Sequence, residues 1–286
     1  MSVSTLAPAG ELRARLGRMR VLNWISGMIL VGLVLIAVAA PMVAPVDPEA
    51  IDFSASLTGP SPDHLLGADQ SGRDILSRLV HGARTSLLGP VVVLTIASVL
   101  GIVVGLLAAW CGGWVDAVVS RATDVMFAFP GLLFAVFTVA VLGKGLQAAV
   151  VALGVAYFPT IAKLTRSVAM AELGRPYVEA YRLQGMSATA LCLTRLLPNI
   201  SPVILGYVVV LFGDVLLGLA GLSFLGFGSQ PPTSDWGLMV SEGQLALIQG
   251  HPLPSLAPAA AIVLTAVVVN IIGVRIADSL TSRTAA

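Results

Sequence analysis

Thr85-Ser86-Leu87-Leu88-Gly89-Pro90-Val91-Val92-Val93-Leu94-Thr95-Ile96-Ala97-Ser98-Val99-Leu100-Gly101 opens a stretch that runs on to Val115 without one Asp, Glu, Lys or Arg. A helix needs about 20 such residues to cross the hydrocarbon of a bilayer, so this run suffices for a crossing. Similar uncharged runs cover residues 21–46, 125–143, 145–162, 196–213 and 243–274. The expected fold is therefore an all-α membrane protein with six transmembrane helices. The 85–115 and 243–274 runs exceed one crossing, so part of each is read as interfacial or looped, and the last helix is expected to begin near Leu256.

Composition agrees. Of 286 residues 57% are hydrophobic and 11% charged, whereas a soluble domain carries about a quarter charged residues. That excludes a water-soluble globule. A net charge of +1 leaves no basic excess for a nucleic-acid backbone. Cys111 and Cys192 form no CxxC pair, which argues against a disulfide framework or a thiolate metal site. His64, His81 and His251 lack zinc-ligand spacing, so no metal is expected.

Arg13, Arg15, Arg18 and Arg20 precede the first run, whose apolar core is longer than that of a cleaved signal peptide, so an uncleaved anchor is expected. Counting Lys and Arg on alternate sides puts twelve with the N-terminus and four opposite. By the positive-inside rule both termini are cytoplasmic. The division is a cytoplasmic tail over 1–20, a membrane domain over 21–280 and a C-terminal tail over 281–286. Two loops exceed mere connections: an outer one over 47–84 and a cytoplasmic one over 163–198. Within the outer loop Ile75, Leu76, Leu79 and Val80 recur at helical spacing, which suits an interfacial helix.

In the cytoplasmic loop Arg175-Pro176-Tyr177-Val178-Glu179-Ala180-Tyr181-Arg182-Leu183-Gln184-Gly185 reads as a helix of two to three turns, with proline at its start and glycine at its stop. Tyr177, Ala180, Tyr181 and Gln184 share one face, and Glu179 and Arg182 are spaced to pair on the other. Ser187 can cap a second short helix, and Pro198 opens the next span. By itself this pattern fits either a docking element or an interfacial linker.

Glu179-Ala180, then Gly185, then Leu197-Pro198 resembles the glutamate-alanine-alanine loop of the membrane subunits of ABC importers. Tyr181 stands where that family has a second alanine. Leu66-Gly67-Ala68-Asp69-Gln70-Ser71-Gly72-Arg73-Asp74, then Gly112-Gly113, Asp116, Arg121, Asp124 and Phe129-Pro130, and Leu222-Ser223-Phe224-Leu225-Gly226-Phe227-Gly228 are similar to the peptide and nickel branch, in particular its C-type dipeptide permeases. Leu219 replaces an acidic residue common there, and Gly273-Val274-Arg275 replaces Gly-Asp-Gly.

The resemblance implies a type I importer permease fold in the bacterial cytoplasmic (inner) membrane. It further implies half of a translocation pathway for dipeptides or oligopeptides, with nickel complexes as an alternative cargo. Tyr177, Glu179, Ala180, Tyr181, Gly185, Leu197 and Pro198 would then couple the chain to an ATPase. The implied partners are a homologous permease, two ABC ATPase subunits that hold ATP and magnesium, an extracytoplasmic solute-binding protein and membrane lipid. The chain itself shows no GxxxxGK[ST] phosphate loop, HExxH or GxSxG, so it is not expected to be an enzyme or to carry a cofactor.

Asp214 and Asn270 are candidate pathway residues, because ionisable and polar groups within a span are costly and tend to face water or the bundle interior. For each, a structural hydrogen bond is the competing reading. Gly101 and Gly105 form a GxxxG pair that suits close helix packing within this chain or with another. A gradient-driven secondary transporter is the alternative class, for which Asp214 is the one clear intramembrane charge and no internal repeat is evident.

Overall fold

The computed structural model describes the backbone over residues 9–284 and the side chains over residues 24–277. Helices α1 (Ala9–Val38) and α2 (Ala40–Val43) lead into an irregular segment with a single 3-10 turn, Phe53–Ala55. Helices α3 (Ile75–Cys111), α4 (Gly113–Phe127), α5 (Gly131–Leu142) and α6 (Leu146–Leu173) follow. Short α7 (Pro176–Leu183) and α8 (Ala188–Leu191) pass through a π turn, Cys192–Leu196, into α9 (Leu197–Phe224). Helices α10 (Trp236–Glu242), α11 (Gln244–Ile248) and α12 (Leu253–Thr284) complete the chain. No strand occurs among the described residues.

Four stretches are long and apolar enough to cross a membrane: Ile75–Cys111, Leu146–Leu173, Ala188–Phe224 and Leu253–Ala277. The pair α4 and α5 supplies a fifth if its 92° bend lies within one span. The described apolar part of α1, Trp24–Val38, is shorter than a crossing. The expected six spans thus become four or five among the described residues. Arg13 to Arg20 and the tail over 281–286 lie outside the residues whose side chains are described.

The 85–115 run is helical except at Gly112, where it breaks before α4. Residues 85–111 belong to one continuous helix that starts earlier, at Ile75, where the Asp74 carboxylate accepts a hydrogen bond from the Ser77 amide at 2.7 Å. Pro90 sits inside that helix; it removes one backbone donor, a loss that packed membrane helices tolerate. The outer segment expected to reach Arg84 therefore ends at Asp74. Ile75 and Ala83 do not lie on a membrane surface but are buried with Trp236 and Met239. Likewise α6 runs through Lys163 to Leu173, and α12 starts at Leu253 with Pro254 in its first turn, a place where proline costs no hydrogen bond.

Small residues set the tightest seam. A Cβ at Gly101 would lie 2.9 Å from the Ala162 amide nitrogen, and one at Gly105 would lie 2.6 Å from the Ala162 carbonyl oxygen. Gly101 and Gly105 therefore pack α3 onto α6 inside this chain, which answers the question left open by the GxxxG spacing. Without a hydrophobic drive between helices in lipid, such close backbone approach supplies the dispersion contacts that hold the bundle. Val93, Ala97, Ile161, Ile200 and Val215 fill the centre.

Candidate coupling site and translocation face

At one end of the bundle, α7 is framed as its sequence suggests. Pro176 occupies the first turn. Beyond the last turn the Gly185 amide donates to the Arg182 carbonyl at 3.0 Å and the Met186 amide to the Tyr181 carbonyl at 3.1 Å, the paired bonds of a Schellman stop. Gly185 has φ +77° with open space around it, so backbone conformation rather than crowding calls for glycine there. The Ser187 hydroxyl accepts from the Ala190 amide at 3.4 Å and caps α8.

The two faces of α7 divide differently from the reading of the sequence. Tyr177 and Tyr181 are half-buried and meet edge to face at 6.3 Å, and the Arg195 guanidinium lies 4.9 Å from the Tyr181 ring. Val178 is buried. Glu179, Ala180, Gln184 and Gly185 are exposed, and so is Leu183, at 84%. Arg182 stacks on Trp110 at 4.6 Å; a pair with Glu179 is absent among the described ion pairs. The tyrosines thus hold the helix down, while Glu179, Ala180 and Leu183 form its open face. Leu197, half-buried, and Pro198, exposed, begin α9.

Beneath α7 lies a group that sequence reasoning missed. Glu172, only 8% exposed at the end of α6, accepts from the Tyr177 hydroxyl at 2.9 Å and from the Asn199 side-chain amide at 3.3 Å. Its second oxygen pairs with Arg175 at 2.9 Å, and Asn199 also donates to the Tyr177 oxygen at 3.1 Å. One carboxylate therefore ties α6, α7 and α9 together. Burial is the main influence that pushes the Tyr177 hydroxyl above its ordinary pKa. The available signal was a carboxylate in the last turn of a helix, where the macrodipole disfavours it unless donors converge.

The second feature is a side face of α4, α5, α6 and α9. Asp214 is exposed halfway along α9, with no hydrogen-bonding or ion-pairing partner among the described residues. Asn270 is exposed on α12, one turn beyond Ala266, which faces Gly213, and before Gly273, which abuts Val210. Lys163 and Asp124, both exposed, pair at 2.6 Å, and Lys163 also caps the Phe127 ring at 4.6 Å. Among the described residues no group of three His, Cys, Asp or Glu is placed to hold a metal.

Residues 101–286 match the family described as binding-protein-dependent transport system inner membrane component. The chain belongs to that family. The permease also matches, over residues 18–60, the N-terminal TM domain of oligopeptide transport permease C. It is 38% identical to the di/tripeptide transport system permease protein DppC of Pseudomonas aeruginosa, covering 87% of this chain and 84% of the relative. It is 36% identical to the dipeptide transport system permease protein DppC of Alkalihalophilus pseudofirmus, over 88% of this chain and 83% of that one. The glutathione transport system permease protein GsiD of Pectobacterium atrosepticum is 34% identical over 89% and 85%. Among solved structures, the inward-facing MetNI methionine ABC transporter superposes with TM-score 0.59 at 21% identity, covering 72% of this chain and 97% of the other. That likeness shows the fold: the permease is a multi-pass membrane subunit with the type I importer architecture.

Proposed function

We propose that this permease forms half of the pathway of an ATP-driven importer of short peptides, working with a homologous permease, two ABC ATPase subunits and an extracytoplasmic binding protein. Nucleotide and magnesium belong to the ATPase subunits. Relatives named for dipeptide, tripeptide and glutathione transport support short peptides with a free amine as cargo. Both termini lie in the cytoplasm, which places α7 on the ATPase side and α10 on the binding-protein side.

The observation that carries the reading is the open face of α7. Glu179, Ala180 and Leu183 all stand exposed on that face, which leaves the segment that matches the family's docking loop free to meet a partner. Motion of that partner enters at α7 and passes through Tyr177, Glu172 and Asn199 to α6 and α9, the helices that bear Tyr157 and Asp214. Asp214 and Asn270 then face the pathway. The test is reconstitution with Glu179→Arg and with a Leu183→Cys cross-linking probe. Transport and coupled ATP hydrolysis are expected to fall at least tenfold in the charge-reversed variant, with normal membrane insertion. Wild-type transport in that variant, or a Leu183→Cys probe that never links to an ATPase subunit, would remove the coupling role.

A further inference from the structure

Where α4 meets α5, the chain turns by 92° at Ala128-Phe129-Pro130, because proline at the start of α5 forces Phe129 out of helical geometry. The turn leaves a cavity of about 290 Å³ lined by Phe127, Phe129, Leu132, Leu153, Tyr157 and Gly218. Gly218 keeps it open. A Cβ there would rest 3.5 Å from Leu153 and 3.9 Å from the Tyr157 hydroxyl oxygen, so a longer side chain would fill the space.

Asp214, exposed, sits one turn before Gly218 on α9 and so shares the helix face that lines the cavity. A carboxylate within a membrane span calls for a cation or water. The nearby basic residues of α6 are already engaged, Lys163 with Asp124 and Arg166 with Asp116. A cation from outside this chain can therefore meet Asp214, and the Phe129 and Tyr157 rings that line the cavity suit an ammonium group.

We infer that this cavity is a binding site within the pathway for a short peptide, whose ammonium group pairs with Asp214 while an apolar side chain enters among Phe127, Phe129, Leu132 and Tyr157. The inference rests on the peptide-import reading above and adds a selective step inside the membrane. A cavity lined by rings and aliphatic side chains with a few polar groups, here the Tyr157 and Thr160 hydroxyls, has the usual composition of a small-molecule site.

The experiment uses vesicles holding the complete assembly with its binding protein, given labelled alanyl-phenylalanine or alanyl-alanine. Asp214→Asn should lower uptake of both peptides about tenfold, since a charged partner is lost. Gly218→Leu, which fills the cavity, should lower alanyl-phenylalanine uptake about tenfold more than alanyl-alanine uptake, the scale of discrimination that pocket volume gives. Leu132→Trp fills the same space from the exposed start of α5 and should shift the ratio in the same direction, even if Gly218→Leu does not assemble. Peptide affinity of the binding protein, measured separately, should not change. Full uptake in Asp214→Asn, or an unchanged peptide ratio in the cavity-filling variants, would overturn the site. Wild-type vesicles that accumulate neither peptide would instead overturn the import reading on which it stands.

Discussion

The two ends of the bundle handle charge in opposite ways. At the α10 end, Asp69, Arg73 and Arg78 are buried and joined with Glu242: Arg73 reaches Asp69 at 2.8 Å and Glu242 at 3.0 Å, and Arg78 reaches them at 2.6 and 2.7 Å. Gly72, with φ +74°, keeps this knot closed, since a Cβ there would fall 1.7 Å from the Asp52 carbonyl oxygen. At the α7 end, Glu179 stands in the open, and the hub beneath it is the single carboxylate of Glu172. A network of buried, mutually satisfied charges resists rearrangement, because parting any pair strands a charge. An exposed helix held by a few hydrogen bonds gives way at far less cost. One end is built as a fixed cap, and the other has the freedom that the proposed lever requires.

Several substitutions would break that contrast. The largest stability loss is expected for Arg78→Met, which leaves the buried carboxylates of Asp69 and Glu242 to Arg73 alone. It should cost about 3–5 kcal/mol and lower the unfolding temperature of the purified assembly. Glu172→Leu comes next, at about 1–3 kcal/mol, because the Tyr177 hydroxyl and the Asn199 amide lose their acceptor. Glu172→Gln keeps an acceptor and should restore most of that stability, which thermal unfolding of the pair would show. Gly185→Ala imposes a left-handed backbone on a side chain, at about 1–2 kcal/mol, and should also reduce transport by misplacing α7. Glu179→Arg sits at the bottom of the stability order, within about 0.5 kcal/mol, yet should abolish coupling. If Arg78→Met proved harmless while Glu179→Arg unfolded the protein, the contrast between cap and lever would be reversed.

Much of this was legible in one dimension. The uncharged runs marked most of the spans, and Pro176 and Gly185 marked the ends of α7. What the pattern missed has physical causes. Asp74 is an N-cap as well as a loop residue, so the α3 helix begins ten residues before the uncharged run. Helical spacing in 75–84 was genuine, but the apolar side turned to Trp236 on a segment far along the chain, which no local periodicity reveals. The spacing of Tyr177 and Tyr181 identified a shared face without indicating that it points inward. Glu172 gave only a faint signal, since its donors Tyr177 and Asn199 come from different elements.

Composition and the 20-residue scale of a bilayer determined, with no fold in hand, that this chain is a helical membrane protein, because uncharged segments of that length have no stable home in water. Local chemistry likewise settled where α7 starts and stops. Tertiary structure alone decided that Gly101 and Gly105 serve this subunit's own seam, that the tyrosines of α7 anchor rather than dock, and that Gly218 lines a cavity with Tyr157. Those outcomes depend on which distant backbone comes within a few ångströms, and the order of residues along one helix carries no record of its neighbours.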